Sequence, residues 1–136
     1  MIKKALDRRE FTSGLLLAAS GFAAESTSSF GATYPSRLIK VVVPFATGGG
    51  TDVIGRSLIQ AMSEDLGQSM IIDNKPGAGT VIGSDFVSKA GNDGHTLLMG
   101  SNSMVINPSF NPAIGYDVAR DFDAVGMVSA QPLVLV

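Results

Sequence analysis

The sequence predicts an α/β fold built on a mostly parallel sheet with flanking helices. Three observations predict it. Short β-branched apolar runs recur at Leu38–Phe45, Ser69–Asp73 and His95–Gly100. Two stretches with helical spacing or helix-forming content separate them. Each strand runs into a loop of Gly, Ser, Thr and Asn rather than into a two-residue hairpin turn. Strand–helix–strand–helix–strand order implies parallel pairing by crossover connections.

"LIKVVVPF" is apolar on both faces, the pattern of a strand covered on both sides. "TDVIGRSLIQAMSEDLG" follows, with Ile54, Leu58, Ala61, Met62 and Leu66 at helical spacing. Thr51 is placed to cap its start, Asp52 falls in the positive first turn, and Gly67 can end it. "SMIID" is a second strand and "NKPGAG", Asn74 to Gly79, a loop. "TVIGSDFVSKA", Thr80 to Ala90, is a second helix with small residues on one side, and "GNDG" is a turn. "HTLLMG" is the third strand, and the expected order has the first strand between the other two. From Ser101 to Phe122 the chain reads as a long connection with a helical turn near Met104–Asn107, and Asn107-Pro108 and Asn111-Pro112 mark turns. "DAVGMVS" and "PLVLV" read as further strands, the second broken off at Val136. That ending leads to the expectation of a truncated domain, the front part of a longer protein.

The chain has 136 residues, 45% hydrophobic and 16% charged, a composition that supports one packed domain rather than disorder. Its beginning is set apart. Lys3, Lys4, Arg8 and Arg9 precede an uncharged stretch of 11 residues, Gly14 to Ala24, shorter than the roughly 20 needed to span a bilayer. Residues 1–32 therefore read as a signal peptide, and the paired arginines as a twin-arginine export signal; residues 33–136 read as a partial α/β lobe. That remainder keeps six basic and nine acidic residues, with no basic cluster, so a nucleic-acid partner is disfavoured. No later segment is apolar and long enough for stable membrane insertion after signal removal. With no cysteine, neither a disulfide nor a thiolate nucleophile is available.

In an open α/β sheet, ligands sit beyond the carboxyl ends of the strands. Three loops emerge there: "PFATGGGTD", "NKPGAGT" and "GSNS". Glycines let a backbone approach a ligand closely, and two of these loops run into helix starts, where free N–H groups favour an anion. The pattern suits a carboxylate or phosphate held by main-chain donors. It suits ordinary tight strand-to-helix turns equally well, and both readings stand on the residues alone. "GAGTVIG" has the form G-x-G-x-x-x-G, close to a dinucleotide fingerprint, but it follows "DNKP" rather than the strand itself and lacks a partner acid for a ribose. No cofactor is expected. No catalytic constellation is visible: His95, the single histidine, reads as a packing residue, and Asp117, Asp121 and Asp123 as a solvated acidic turn rather than a metal site.

"YPSRLIKVVVPFATGGGTDVIGRSL", "LGQSMIIDNKPGAGTVIGSDFVSKA", "DGHTLLMGSNS" and "NPAIGYDVARDFDAVGMVS", in this order, resemble the Bug family of tripartite tricarboxylate transporter receptors. The resemblance covers Tyr34 to Val136 and implies the first lobe of a two-lobed periplasmic-binding-protein type II fold. It implies a receptor without enzymatic activity, a small carboxylate ligand and a membrane permease of the same transporter type as partner. It also implies a cleft lined by Phe45, Ala46, Thr47, Gly48, Gly49, Thr51 and Asp52 from the first loop, Ala78 and Gly79 from the second, and Ser101 and Asn102 from the third. Relative to the family, His95 stands where an aromatic is usual and "FATGGG" replaces a proline-containing loop. A Rossmann-like oxidoreductase and a non-functional truncated domain are the alternatives.

Overall fold

Val41 lies at the centre of a parallel sheet, paired with Ile72 on one side and Leu97 on the other. The computed structural model describes residues 33–130. The leader assigned to residues 1–32 and the run "PLVLV" lie outside the described residues.

Strand β1 (Ile39–Val43) is flanked by β2 (Met70–Asn74) and β3 (Thr96–Leu98), in the order β2-β1-β3 with both pairings parallel, as the sequence predicts. Helix α1 (Gly50–Leu66) connects β1 to β2, and α2 (Val81–Ser88), entered through a single tight turn at Ala78–Thr80, connects β2 to β3. Gly67 ends α1 in the left-handed conformation that a Cβ would penalise. The alternating residues Ile39, Val41 and Val43 form the buried core with Met70 and Met99; Ile54, Ile59 and Met62 of α1 pack against them. Val42, on the other face of β1, is fully buried as well.

The face that α1 turns to the sheet differs from the expected stripe. Ala61 and Leu66 are exposed, whereas Asp52 and Gly55 are buried. A Cβ on Gly55 would lie 3.4 Å from Ile72 and 3.6 Å from the Met99 sulfur. The closest approach of helix to sheet is thus made by a residue with no hydrophobicity to detect. Gly83 does the same in α2, where a Cβ would come within 2.8 Å of Pro44.

The connection after β3 is more helical than expected. Helix α3 (Asn102–Phe110) runs through Asn107-Pro108, which is therefore no turn, and α4 (Val118–Asp121) follows. Pro108 is tolerated because its missing N–H strands only the carbonyl four residues earlier, that of Met104. The buried Tyr116 hydroxyl donates to that carbonyl at 3.0 Å. Asn111-Pro112 does form a turn, with Ala113 N–H bonded to the Asn111 side chain and Ile114 N–H to its carbonyl. The acidic turn is a reciprocal helix cap: Asp117 accepts from the amides of Ala119 and Arg120, and Asp121 accepts from the Asp117 amide. "DAVGMVS" is not a strand. Residues 123–129 pair with no other segment among the described residues, and Val125 and Met127 stay exposed. A strand exists only where another edge completes its hydrogen bonds, so apolar alternation alone did not suffice.

Because nothing in α3 can replace the Tyr116 hydroxyl, Tyr116→Phe leaves the Met104 carbonyl buried and unpaired. We expect a loss of about 1–3 kcal/mol in urea unfolding, above that of an ordinary exposed hydrogen bond.

Candidate functional site

Parallel pairing brings the carboxyl ends of all three strands to one end of the sheet, so the three glycine-containing loops emerge together. The first leaves β1 at Pro44 and enters α1 at Gly50. Phe45 is half-buried and packs on the core, while Ala46, Thr47, Gly48 and Gly49 are exposed. Gly48 has φ +83°, a conformation natural to glycine.

Thr51 does not cap α1. The helix begins at Gly50, its N-cap is Gly49, and no side chain caps it. The amide of Gly49 bonds to the Ala46 carbonyl and that of Gly48 to the Asp52 carboxylate. Both are consumed within the loop. The N–H groups of Gly50, Thr51 and Asp52 belong to the first helical turn, where no carbonyl within the helix can meet them. The free donors of this connection are therefore the amides of Gly50, Thr51 and Asp52 at the helix start, rather than those of Gly48 and Gly49.

Asp52 departs from its expected place in the cleft lining. Its side chain is 1% exposed. One oxygen accepts from Gly48 N–H at 2.9 Å and Arg56 Nε at 2.9 Å; the other accepts from Arg56 Nη2 at 3.0 Å and Asn74 Nδ2 at 2.9 Å. Four donors fill the acceptor capacity of the carboxylate, so it has nothing left for a ligand. The bidentate Arg56 bonds, then the Gly48 amide and Asn74, hold its pKa well below the usual carboxylate range against the opposing effect of burial. Arg56, one turn along α1, also neutralises the charge that would repel an arriving carboxylate. Asn74, at the end of β2, donates to the Phe45 carbonyl as well and accepts from the Thr47 hydroxyl and Arg56.

The second loop is bent by its backbone. Gly77, Ala78, Gly79 and Thr80 all have positive φ, at 131°, 47°, 62° and 85°. Glycine adopts such angles freely, but Ala78 and the buried, β-branched Thr80 are strained there. Asn107 of α3 holds the bend by donating to the Gly79 carbonyl at 2.6 Å. Ala78 and Gly79 are exposed. In the third loop, Ser101 is the N-cap residue of α3, its hydroxyl buried without a partner among the described residues, and Asn102 is exposed.

The structure thus gathers the predicted loops at one end of the sheet, with Asp52 turned inward. It adds Gly50, the last glycine of the run, and Arg56, an i,i+4 partner of Asp52; Asn74 and Asn107 join through partners remote in sequence. His95 is a packing residue, as expected. It is buried edge-on against Tyr34, its Nε2 accepts from Ser36 N–H, and its Nδ1 lies 3.0 Å from the Asp93 carbonyl. The loops form an open ledge rather than an enclosed pocket. Two surface grooves among the described residues lie elsewhere, one along α1 at Ile59, Gln60 and Ser63, the other between α3 and α4 at Val105, Ile114 and Val118.

Two outcomes are expected. The depressed pKa of Asp52 stabilises the fold fully above the unfolded value of about 3.9, and that contribution fades as pH falls below it. In denaturant unfolding, the stability gap between wild type and Asp52→Asn is therefore constant above pH about 4 and narrows in more acidic solution. Separately, Ala78→Gly removes strain at an exposed position, so it raises stability by up to about 1 kcal/mol, contrary to the usual cost of glycine.

Comparison with known proteins follows the same lines. Residues 54–136 match the family model of the tripartite tricarboxylate transporter family receptor. Protein BugT of Bordetella pertussis is 42% identical over 125 residues, covering 90% of this chain and 37% of that protein. The UPF0065 protein in the tcbD-tcbE intergenic region of a Pseudomonas species is 41% identical over 133 residues, covering 96% of this chain and 38% of that protein. The chain thus spans little more than a third of the length of these relatives. Among solved structures, a periplasmic transporter matches with TM-score 0.60 and 46% identity over 62% of this chain and 29% of its own. An R. palustris protein solved with adipate matches with TM-score 0.55 and 34% identity, over 63% of this chain and 29% of its own. The parallel sheet, the order of its loops and these matches agree, and the chain belongs to the tripartite tricarboxylate transporter receptor family.

Proposed function

We propose that this chain forms one wall of a periplasmic receptor that binds a small organic carboxylate and hands it, chemically unchanged, to a membrane permease of the tripartite tricarboxylate type. Residues 33–136 are then part of the first of two lobes, and residues 1–32 the export signal, of the twin-arginine kind. The observation that carries this reading is the ledge of main-chain groups at the ends of three parallel strands, whose nearby charges, Asp52 and Arg56, already neutralise each other. Such a ledge offers N–H donors to an anion and no side chain poised for catalysis. The ligand class is supported by the family and by the adipate in the R. palustris structure. On this reading the wall comprises Ala46, Thr47, Gly48, Gly49, Gly50 and Thr51, with Ala78, Gly79, Ser101 and Asn102 beside them and Phe45 and Asp52 behind.

One wall buries a ligand on one side only, so the chain alone is expected to hold adipate with Kd on the order of 1 mM or weaker. A chimera in which it replaces the matching segment of the B. pertussis relative supplies the opposite wall. A ligand from a panel of dicarboxylates and aromatic acids, added at 100 times its Kd, should stabilise that chimera by about 2.7 kcal/mol in thermal melts. Gly49→Phe, which covers the ledge without requiring a forbidden backbone angle, should remove the effect. Stabilisation by NAD and by none of the acids would falsify the receptor reading, and micromolar binding by the chain alone would refute the one-wall argument.

A further inference from the structure

The glycine loop is held in one shape by a side chain outside it. Asn74 ends β2 and is the only residue of the network bonded to all three parts of the β1–α1 connection among the described residues. At the loop's start, Nδ2 donates to the Phe45 carbonyl at 3.2 Å. At its apex, Oδ1 accepts from the Thr47 hydroxyl at 3.1 Å. At the helix, Nδ2 donates to Asp52 at 2.9 Å and Oδ1 accepts from Arg56 at 3.1 Å. An amide has two donors and two lone-pair directions, and all four are used. The strand itself is fixed by its pairing of Asn74 with Val43, so the amide projects from a rigid element into a segment with three glycines.

That segment needs such a hold. Gly48, Gly49 and Gly50 have little intrinsic preference for one conformation, and ordering them costs entropy that a ligand would otherwise have to supply. Loop preorganisation therefore decides how strongly the amides of Gly50, Thr51 and Asp52 bind. We propose that Asn74 is a positioning residue for carboxylate recognition: it keeps the glycine loop in its ligand-ready form by tying Phe45, Thr47 and Asp52 to the end of β2. This rests on the reading of the ledge as a ligand wall. The simpler role, a contribution to overall stability, makes different predictions, because stability is shared by the whole sheet whereas the hold is local to residues 45–52.

The test uses the 136-residue chain labelled with nitrogen-15 and titrated with adipate into the tens of millimolar, with amide hydrogen exchange measured in parallel. In the wild type, the amides of Gly50, Thr51 and Asp52 shift on titration, and Gly48 N–H is protected by its bond to Asp52. In Asn74→Ala, adipate binding weakens at least tenfold and Gly48 exchanges at least tenfold faster, while Val41 and Val43 keep their protection. Asn74→Asp, nearly the same shape, keeps both acceptor contacts but loses both donors and faces Asp52 with a second carboxylate; it behaves like the alanine variant. Binding within twofold of wild type in either variant overturns the proposal while leaving the ligand wall intact. So does a uniform rise in exchange across the sheet, or failure of both variants to fold, since each marks a structural role alone. If adipate shifts no wild-type amide and no acid of the panel stabilises the chimera, the ligand wall itself is refuted and the proposal falls with it.

Discussion

Burying the Asp52 carboxylate requires that every one of its acceptor positions be met, and the chain meets them from three directions: the loop amide before it, the arginine one turn after it and the asparagine at the end of the neighbouring strand. Take that carboxylate away and the start of α1, the end of β2 and the glycine loop lose their common point of attachment. The three consecutive glycines make sense in this light. Gly48 must turn to a positive φ to aim its amide inward, Gly49 must close against the Ala46 carbonyl, and Gly50 begins the helix with an open side toward solvent. A run of residues that is costly to order is ordered by a charge that is costly to bury, and each compensates the other.

The architecture was readable because its signals are local. Each strand begins in a short, mostly apolar run, Gly67 stops the first helix, and strand–helix alternation leaves few topologies with parallel pairing. The ledge was readable at the level of loops for the same reason. What escaped was set by distance. Nothing near Asn74 shows that its amide will meet a carboxylate on another element, and Asp52 looked like a cleft residue because a helix N-terminus suits an acid whether it faces in or out. Gly55 hid part of the α1 face that packs on the sheet, since its contact is made by the absence of a side chain, whereas the small residues of α2, Gly83 among them, were visible. The run at 123–129 failed for the converse reason: its alternation was visible, but a strand is a property of two segments.

Family membership and local geometry bear on different questions. The family match and the likeness to a solved periplasmic transporter concern what kind of molecule shares this sheet. The geometry concerns which groups the loops present: main-chain amides, the Asp52–Arg56 pair, and Lys75, which shares Asp73 with Lys40. Asp52 and Arg56 cancel at short range, which leaves the peptide dipoles at the start of α1 and the Lys75 ammonium, 3.5 Å from Asp73, near these loops. The field of a helix start is short in reach and fades within its first turn.

The proline in α3 has a mechanical meaning. By leaving the Met104 carbonyl free it lets Tyr116, from the segment that follows, fasten to the side of the helix, while Asn107 on the same helix grips the strained bend at Gly79. The two fastenings are three positions apart on the helix. Met104 and Asn107 thus tie the downstream chain and the strained bend at Gly79 to the same turn of α3, so the packing of that one turn is common to both.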